Sequence, residues 1–201
     1  STNNELYAAP AYPDPSFAAP VKLTLNEGAD SSPQFSPDGR HLAWRAQFRA
    51  GYESDRWRLI VRERDTGVQR DLTDALDRSV SSFVWSPDSS RLFYTTEDRA
   101  RQTVSMISVK GGASRIIVQG AGYVDDVQFT PDSKLMVYSE TTSSKPTELY
   151  KVFSTGGAPE ALTRINEDRL RPYDLKPAED FFVTSFDQAK VHSLMIKPPG
   201  F

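Results

Sequence analysis

An all-β fold assembled from repeated four-stranded blades is what this sequence of 201 residues predicts, and three observations carry the prediction. The stretch Phe83-Val84-Trp85-Ser86-Pro87-Asp88-Ser89-Ser90-Arg91-Leu92-Phe93-Tyr94 has two relatives. They are Phe35-Ser36-Pro37-Asp38-Gly39-Arg40-His41-Leu42-Ala43-Trp44 and Phe129-Thr130-Pro131-Asp132-Ser133-Lys134-Leu135-Met136-Val137-Tyr138. Each reads as an apolar run, a polar turn, a basic residue and a second apolar run: proline removes a donor where the first strand must stop, and Asp with Gly or Ser braces the turn. The turn prolines stand at 37, 87 and 131, spacings of 50 and 44 residues, near the period of roughly 40 to 50 residues of a four-stranded propeller blade. No window shows a helical period bounded by caps, so very little helix is expected.

Taken in order, residues 5–8 read as a short strand followed by a loop holding Pro10, Pro13, Pro15 and Pro20, and Val21-Lys22-Leu23-Thr24-Leu25 as a second strand. Each hairpin is then followed by two more strands around a turn. After the first come residues 56–62, Asp65-Thr66-Gly67 and residues 69–73; after the second, residues 103–109, Lys110-Gly111-Gly112 and residues 114–118. After the third come residues 148–153, Thr155-Gly156-Gly157 and residues 159–163. The expected divisions are a half blade (1–25), three blades (26–73, 74–119 and 120–163) and a terminal section (164–201). In the last, Asn166-Glu167-Asp168-Arg169 reads as a polar loop, residues 181–184 and 191–197 as strands, and Asp187-Gln188-Ala189-Lys190 as a turn. Lys176-Pro177-Ala178-Glu179 falls near the period for a fourth repeat, but no hairpin of the right length follows it. Propellers close with about four to eight blades, so the count implies a fragment of a partial β-propeller. Its open blade edges are expected to favour self-association.

Composition excludes several classes. With 24 Lys plus Arg against 27 Asp plus Glu, the net charge of -3 offers no electrostatic reason for a nucleic-acid or anionic-membrane partner. The basic run Arg45, Arg49, Arg56, Arg58, Arg62 and Arg64 is interleaved with acids. No cysteine means no disulfide, no thiolate metal site and no Cys nucleophile. It does not fix the compartment, for which a periplasmic or secreted placement is slightly preferred. No apolar run approaches the roughly 18 residues of a membrane span. Asp125-Asp126 reads as an inter-blade loop ahead of a cation site, so no metal or cofactor is expected. Trp44, Trp85 and Tyr138 read as the closing aromatics of equivalent strands that pack between blades.

The Phe-Ser-Pro-Asp-Gly repeats, Gly51-Tyr52-Glu53-Ser54-Asp55-Arg56-Trp57, Asp77-Arg78-Ser79-Val80 and the closing Val191-His192-Ser193-Leu194-Met195-Ile196-Lys197-Pro198-Pro199-Gly200-Phe201 resemble the prolyl oligopeptidase family of serine peptidases. The nearest likeness is to its dipeptidyl-peptidase and acylaminoacyl-peptidase branches. The repeat alone is shared with TolB-type propellers, which bind other proteins. One departure is Gln188, where the family usually has Gly. The resemblance implies a propeller capping a C-terminal α/β-hydrolase domain whose first strand lies within residues 186–201, with a peptide as substrate.

No catalytic residue is expected in this chain. It lacks a Gly-x-Ser-x-Gly nucleophile turn, and His41 and His192 read as strand histidines. The connections between strands two and three, and between blades, should lie at the end facing a hydrolase domain, remote from the Ser-Pro-Asp turns. Among them the loop from Gln47 to Trp57 is the longest. Related dipeptidyl peptidases hold the substrate α-ammonium on propeller glutamates, so the resemblance implies Glu53, and less so Asp55, as that anchor. Tyr52 would wall the pocket and Arg56 stand beside it. The plainer reading of Glu53, Asp55 and Arg56 is a solvated loop with a local ion pair.

Overall fold

A computed structural model describes residues 3–10 and 19–201. Pro13 and Pro15 of the proline-rich loop lie outside them. The strands are β1 (Tyr7–Ala8), β2 (Val21–Lys22), β3 (Asp30–Phe35), β4 (His41–Ala46), β5 (Arg58–Glu63), β6 (Gln69–Asp71), β7 (Val80–Trp85) and β8 (Arg91–Asp98). They continue as β9 (Arg101–Ser108), β10 (Arg115–Gln119), β11 (Tyr123–Phe129), β12 (Leu135–Thr141), β13 (Glu148–Phe153), β14 (Glu160–Ala161), β15 (Glu179–Thr184) and β16 (Lys190–Met195). Three four-stranded sheets, β3-β4-β5-β6, β7-β8-β9-β10 and β11-β12-β13-β14, stand between two-stranded pairs β1-β2 and β15-β16. The all-β blade architecture expected from the repeats is thus present.

The turn chemistry is the same three times over. Ser36 Oγ donates to Asp38 Oδ1 at 2.6 Å and accepts the His41 amide at 2.9 Å, while Asp38 Oδ1 accepts the Arg40 amide at 3.0 Å. Ser86 with Asp88 and Thr130 with Asp132 repeat the pattern, each hydroxyl–carboxylate bond again 2.6 Å. The residue after Asp takes a left-handed φ: +69° at Gly39, +61° at Ser89 and +59° at Ser133. The hydroxyl hydrogen bonds hold all three aspartates below the ordinary carboxylate range.

The chain forms two compact units, Ser1–Thr96 with Met106–Arg115, and Glu97–Ser105 with Ile116–Phe201, so the division runs through the second four-stranded sheet. In the first unit Ala43, Leu59, Val61 and Leu72 pack with Val80, Phe83, Trp85, Leu92, Tyr94, Ile107 and Val109. The opposite strand face, Leu42, Trp44, Ala46 and Ile60, packs with Leu6 and Leu23. Asp30 stands where the other sheets place Val80 and Val124 opposite the second strand. Its buried carboxylate accepts Trp44 Nε1 at 2.8 Å, and burial pushes its pKa up. In the second unit Val104, Val118, Val124, Met136, Tyr138 and Val152 are buried.

Several expectations are corrected. Residues 166–169 are not simply a loop: Glu167–Leu170 is a helical turn, α1, with acids in its first turn, Arg169 in its last, and an Arg171–Asp168 ion pair of 2.6 Å. Asp125 and Asp126 lie within β11, not between blades, and Asp126 adopts φ +54° at a bulge. Trp85 ends a first strand, so the second-strand equivalent of Trp44 and Tyr138 is Tyr94. The first two strands are shorter than expected, at two residues each. Lys176–Glu179 makes no turn of the repeated kind: Glu179 opens β15, which pairs with β16 across a turn at residues 185–189.

In that last turn Gln188 is held at φ +69°, the conformation Gly39 takes in the first repeat. A side chain there costs about 1 kcal/mol, partly offset by the greater freedom of an unfolded glycine. Gln188→Gly is expected to stabilise the hairpin by about 0.5 kcal/mol. Hydrogen exchange at β15 and β16 amides should slow about twofold. Faster exchange would show that the glutamine is not strained.

Candidate functional site

The β4–β5 connection, residues 47–57, lies at the end of its sheet opposite the Pro37-Asp38 turn, as antiparallel pairing requires. Its form is set from within and from below. Asp55 Oδ2 accepts the amides of Phe48 (2.7 Å) and Arg49 (3.0 Å), and the Asp55 amide donates to the Tyr52 carbonyl at 3.0 Å. Desolvation pushes the Asp55 carboxyl up, but the backbone N–H groups of Phe48, Arg49 and Arg56 together outweigh it and leave its pKa lowered. Gln47 Nε2 donates to the carbonyls of Glu53 (3.0 Å) and Asp55 (2.6 Å), so one buried amide gathers both ends of the acidic stretch. Gly51, at φ +67°, makes the bend.

The arginines around the loop are engaged. Arg49 lies over the Tyr52 ring at 4.3 Å and Arg58 over Phe48 at 4.3 Å, with Arg58 also paired to Asp71 and Asp74 at 3.1 Å. Arg56 donates to the carbonyls of Thr73 and Asp74, both at 3.2 Å, and Trp57 accepts the Val80 amide at 2.9 Å, which joins the loop to the next inter-sheet connection. From the other side the Gln47 amide bonds the Ala29 carbonyl at 2.8 Å.

The structure therefore separates the four candidates by task. Asp55 and Arg56 are committed to holding the loop. Tyr52 is half-exposed beside Arg49. Glu53 is exposed, and its carboxylate has no hydrogen bond or ion pair among the described residues. It is a free anion on a braced platform. Segments 26–30, 47–57 and 73–80 come together here in the first unit. Asp125, Asp126 and α1 belong to the second, where Asp126 accepts Ser139 Oγ at 3.2 Å. Gln47 and Gly28 support the site without having been singled out, because their contacts are not local in sequence.

Neither imidazole is bonded to a serine hydroxyl among the described residues. His41 leans on the Trp85 ring, with centroids 6.1 Å apart, and His192 Nε2 meets Asp180 Oδ1 at 2.7 Å. Arg101 grips the same carboxylate with two nitrogens, at 2.7 and 2.6 Å, and with His192 holds the pKa of Asp180 far below its usual value. Among the described residues no three of the His, Asp and Glu side chains cluster as a metal site would require.

No protein-family model matches the chain. It is 32% identical over 177 residues to dipeptidyl-peptidase 5 of Porphyromonas gingivalis, an overlap of 87% of this chain and 25% of that protein. Its fold matches the uncomplexed acylaminoacyl peptidase of Pyrococcus horikoshii with a TM-score of 0.74 at 17% identity, over 97% of this chain and 28% of that one. A TolB protein of Agrobacterium tumefaciens matches with a TM-score of 0.54 at 17% identity, over 72% of this chain and 52% of that one. The chain spans about a quarter of the length of the curated relatives it matches.

Proposed function

From the premise that the chain belongs to the prolyl oligopeptidase family of serine peptidases, as part of its β-propeller, we propose that it gates and positions a peptide substrate, with Glu53 receiving the substrate's α-ammonium. The single observation that carries this reading is the contrast within one loop. Asp55 and Arg56 are spent on its architecture, while the exposed Glu53 carboxylate has no hydrogen bond or ion pair among the described residues. A charge-assisted hydrogen bond to an ammonium is the strongest neutral-pH interaction such a group offers, and the fixed loop lowers the ordering cost of making it. Cleavage itself would fall to a hydrolase domain of the kind the family resemblance implies, because neither imidazole is bonded to a serine hydroxyl among the described residues.

The test uses the full-length polypeptide that carries this segment. Glu53→Gln is expected to raise KM for dipeptide release from free N-termini about 10- to 100-fold, the worth of about 1.5–3 kcal/mol of charged hydrogen bonding. N-acetylated substrates should be unaffected. An unchanged KM for free N-termini ends the assignment. A protein-binding propeller of the TolB kind is the second reading, favoured by the TolB likeness. The sequence beyond Phe201 separates the two: a His-Gly-Gly stretch followed by Gly-x-Ser-x-Gly supports the peptidase, and further blades alone support the other.

A further inference from the structure

In the first unit, β4 carries a cation that the fold leaves without a counter-charge. Arg45 stands opposite Ser31 on one side and Leu59 on the other, and Leu59 belongs to the face that packs on the second sheet. Arg45 Nη1 donates to the carbonyls of Ser81 at 2.5 Å and Val80 at 3.4 Å, and the guanidinium lies over the Trp57 ring at 5.0 Å, at the foot of the loop that bears Glu53. Nη2 makes only long contacts, 3.4 Å to Ser31 Oγ and 3.3 Å to Ser32 Oγ. Nε is buried and has no acceptor.

Every partner of this guanidinium among the described residues is neutral. Burial lowers the Arg45 pKa, and no carboxylate beside it counters the shift. The acids of the surrounding segments are turned elsewhere. Asp30 bonds Trp44 on the opposite face of the sheet, and Asp55 accepts the Phe48 and Arg49 amides. Asp74 pairs with Arg58 at 3.1 Å and Asp77 with Arg78 at 3.2 Å, while Glu53 is exposed to solvent and makes no bond to Arg45. A partly buried cation held only by carbonyls, hydroxyls and a ring is costly until an anion meets it.

The equivalent place in the third sheet shows which anion fits. There Ser139 stands opposite Asp125 as Arg45 stands opposite Ser31, and both first strands bulge at the next residue. Asp126 takes φ +54° where Ser32 takes +56°, and Asp126 Oδ2 accepts Ser139 Oγ at 3.2 Å across the pair. In the second sheet the Ser82 and Thr95 hydroxyls close the corresponding contact at 2.8 Å. Two sheets thus complete this contact within the chain, one of them with a carboxylate. The first sheet sets a cation against two hydroxyls, and the exposed Ser32 is held in a left-handed conformation that keeps its Oγ beside Arg45.

We propose that Arg45, Ser31 and Ser32 receive a carboxylate from outside the chain, the acidic side chain of a bound peptide. It would take the place that Asp126 fills in the third sheet, with Arg45 Nη2 and the two hydroxyls donating to its oxygens while Nη1 stays on the Ser81 carbonyl. Trp57 joins this group to the loop that carries Glu53. The inference therefore rests on the reading of this chain as a peptide-handling propeller, and adds to it a preferred substrate side chain.

The test is a chemical-shift titration of the ¹⁵N-labelled chain with N-acetyl-Ala-Glu-Ala-amide, its Gln counterpart and sodium acetate. Neither peptide has a free N-terminus, so Glu53→Gln should leave the titrations unchanged, and a failure here is distinct from a failure of the Glu53 assignment. The Glu peptide is expected to bind about 5- to 10-fold more tightly than the Gln peptide, as one charge-assisted contact provides, and more tightly than acetate. Its shifts should centre on the Arg45 Nε–H and the amides of Ser31, Ser32 and Ser81. Ser32→Asp installs in the first sheet the carboxylate that the third carries, at a φ that aspartate tolerates. That variant should unfold at a higher denaturant concentration than the wild type and show no preference for the Glu peptide. Equal binding of the two peptides, no binding of either, or a preference that survives Ser32→Asp overturns the proposal. Acetate bound as tightly as the Glu peptide would assign the site to free carboxylates and overturn the peptide as its ligand.

Discussion

Gly28→Ala should destabilise the first unit by about 3 kcal/mol and loosen the loop that presents Glu53, although residue 28 touches no substrate group. A Cβ at this buried position would fall 2.1 Å from the Gln47 carbonyl oxygen, 2.3 Å from its carbon and 2.8 Å from the Phe48 nitrogen. All three are main-chain atoms, so no rotamer change relieves the clash. What must move is the end of β4. The Gln47 amide is tied to the Ala29 carbonyl, its side chain carries the Glu53 and Asp55 carbonyls, and Asn26 Nδ2 bridges the carbonyls of Gly28 (3.1 Å) and Gln47 (3.0 Å). Displacement at residue 28 therefore passes directly into the loop. Denaturant unfolding measures the first effect, and KM for free-N-terminus substrates of the full-length polypeptide measures the second.

A matched control lies in the third sheet. Gly122 stands two residues before Val124, as Gly28 stands two before Asp30, and a Cβ there would meet the Thr141 carbonyl oxygen at 2.0 Å. Gly122→Ala should cost similar stability and leave recognition of the substrate N-terminus intact. Both variants raising that KM equally would show that Gly28 acts through global stability alone.

These glycines also mark where the sequence stops being legible. The blades could be read because their determinants are local: Ser36, Asp38 and the left-handed residue 39 complete the turn within six residues, and the same set recurs at 86–91 and 130–135. Asp125 and Asp126 misled because turn-forming residues also serve a bulge, where the strand itself supplies a left-handed φ. Helix α1 was missed because four residues hold little more than one turn, too short for any apolar period, and charge pairs stabilise it instead. In the candidate site the chemistry of Glu53 stood out from residue type and loop length. The division of labour between Glu53 and Asp55 did not, because it depends on which carboxylate turns inward to the Phe48 and Arg49 amides. The roles of Gln47 and Gly28 arise from chain segments that only the fold brings side by side.

That division of labour gives the other large effect. Asp55→Ala removes the acceptor of two main-chain amides, and with a charged acceptor the loss is expected to reach about 2 kcal/mol, less whatever water restores at this partly exposed site. The loop should open, so KM for free N-termini should rise at least as far as with Glu53→Gln, but for a different reason. Trypsin distinguishes them: cleavage after Arg49 should accelerate in Asp55→Ala and stay at the wild-type rate in Glu53→Gln. Acidity provides a second signature. Because the folded-state pKa of Asp55 is lowered, its stabilising contribution is present in full above the unfolded carboxylate value of about 3.9 and is lost as pH falls through the folded value. The stability gap between wild type and Asp55→Asn should therefore be widest at neutral pH and shrink as the solution is acidified through the carboxylate range. A gap that held constant down to about pH 2, beyond the range over which such a carboxylate titrates, would mean that shape and not charge holds the loop. In that case the Asp55 charge would not be what braces the loop, and the electrostatic contrast drawn between Asp55 and Glu53 would lose its basis.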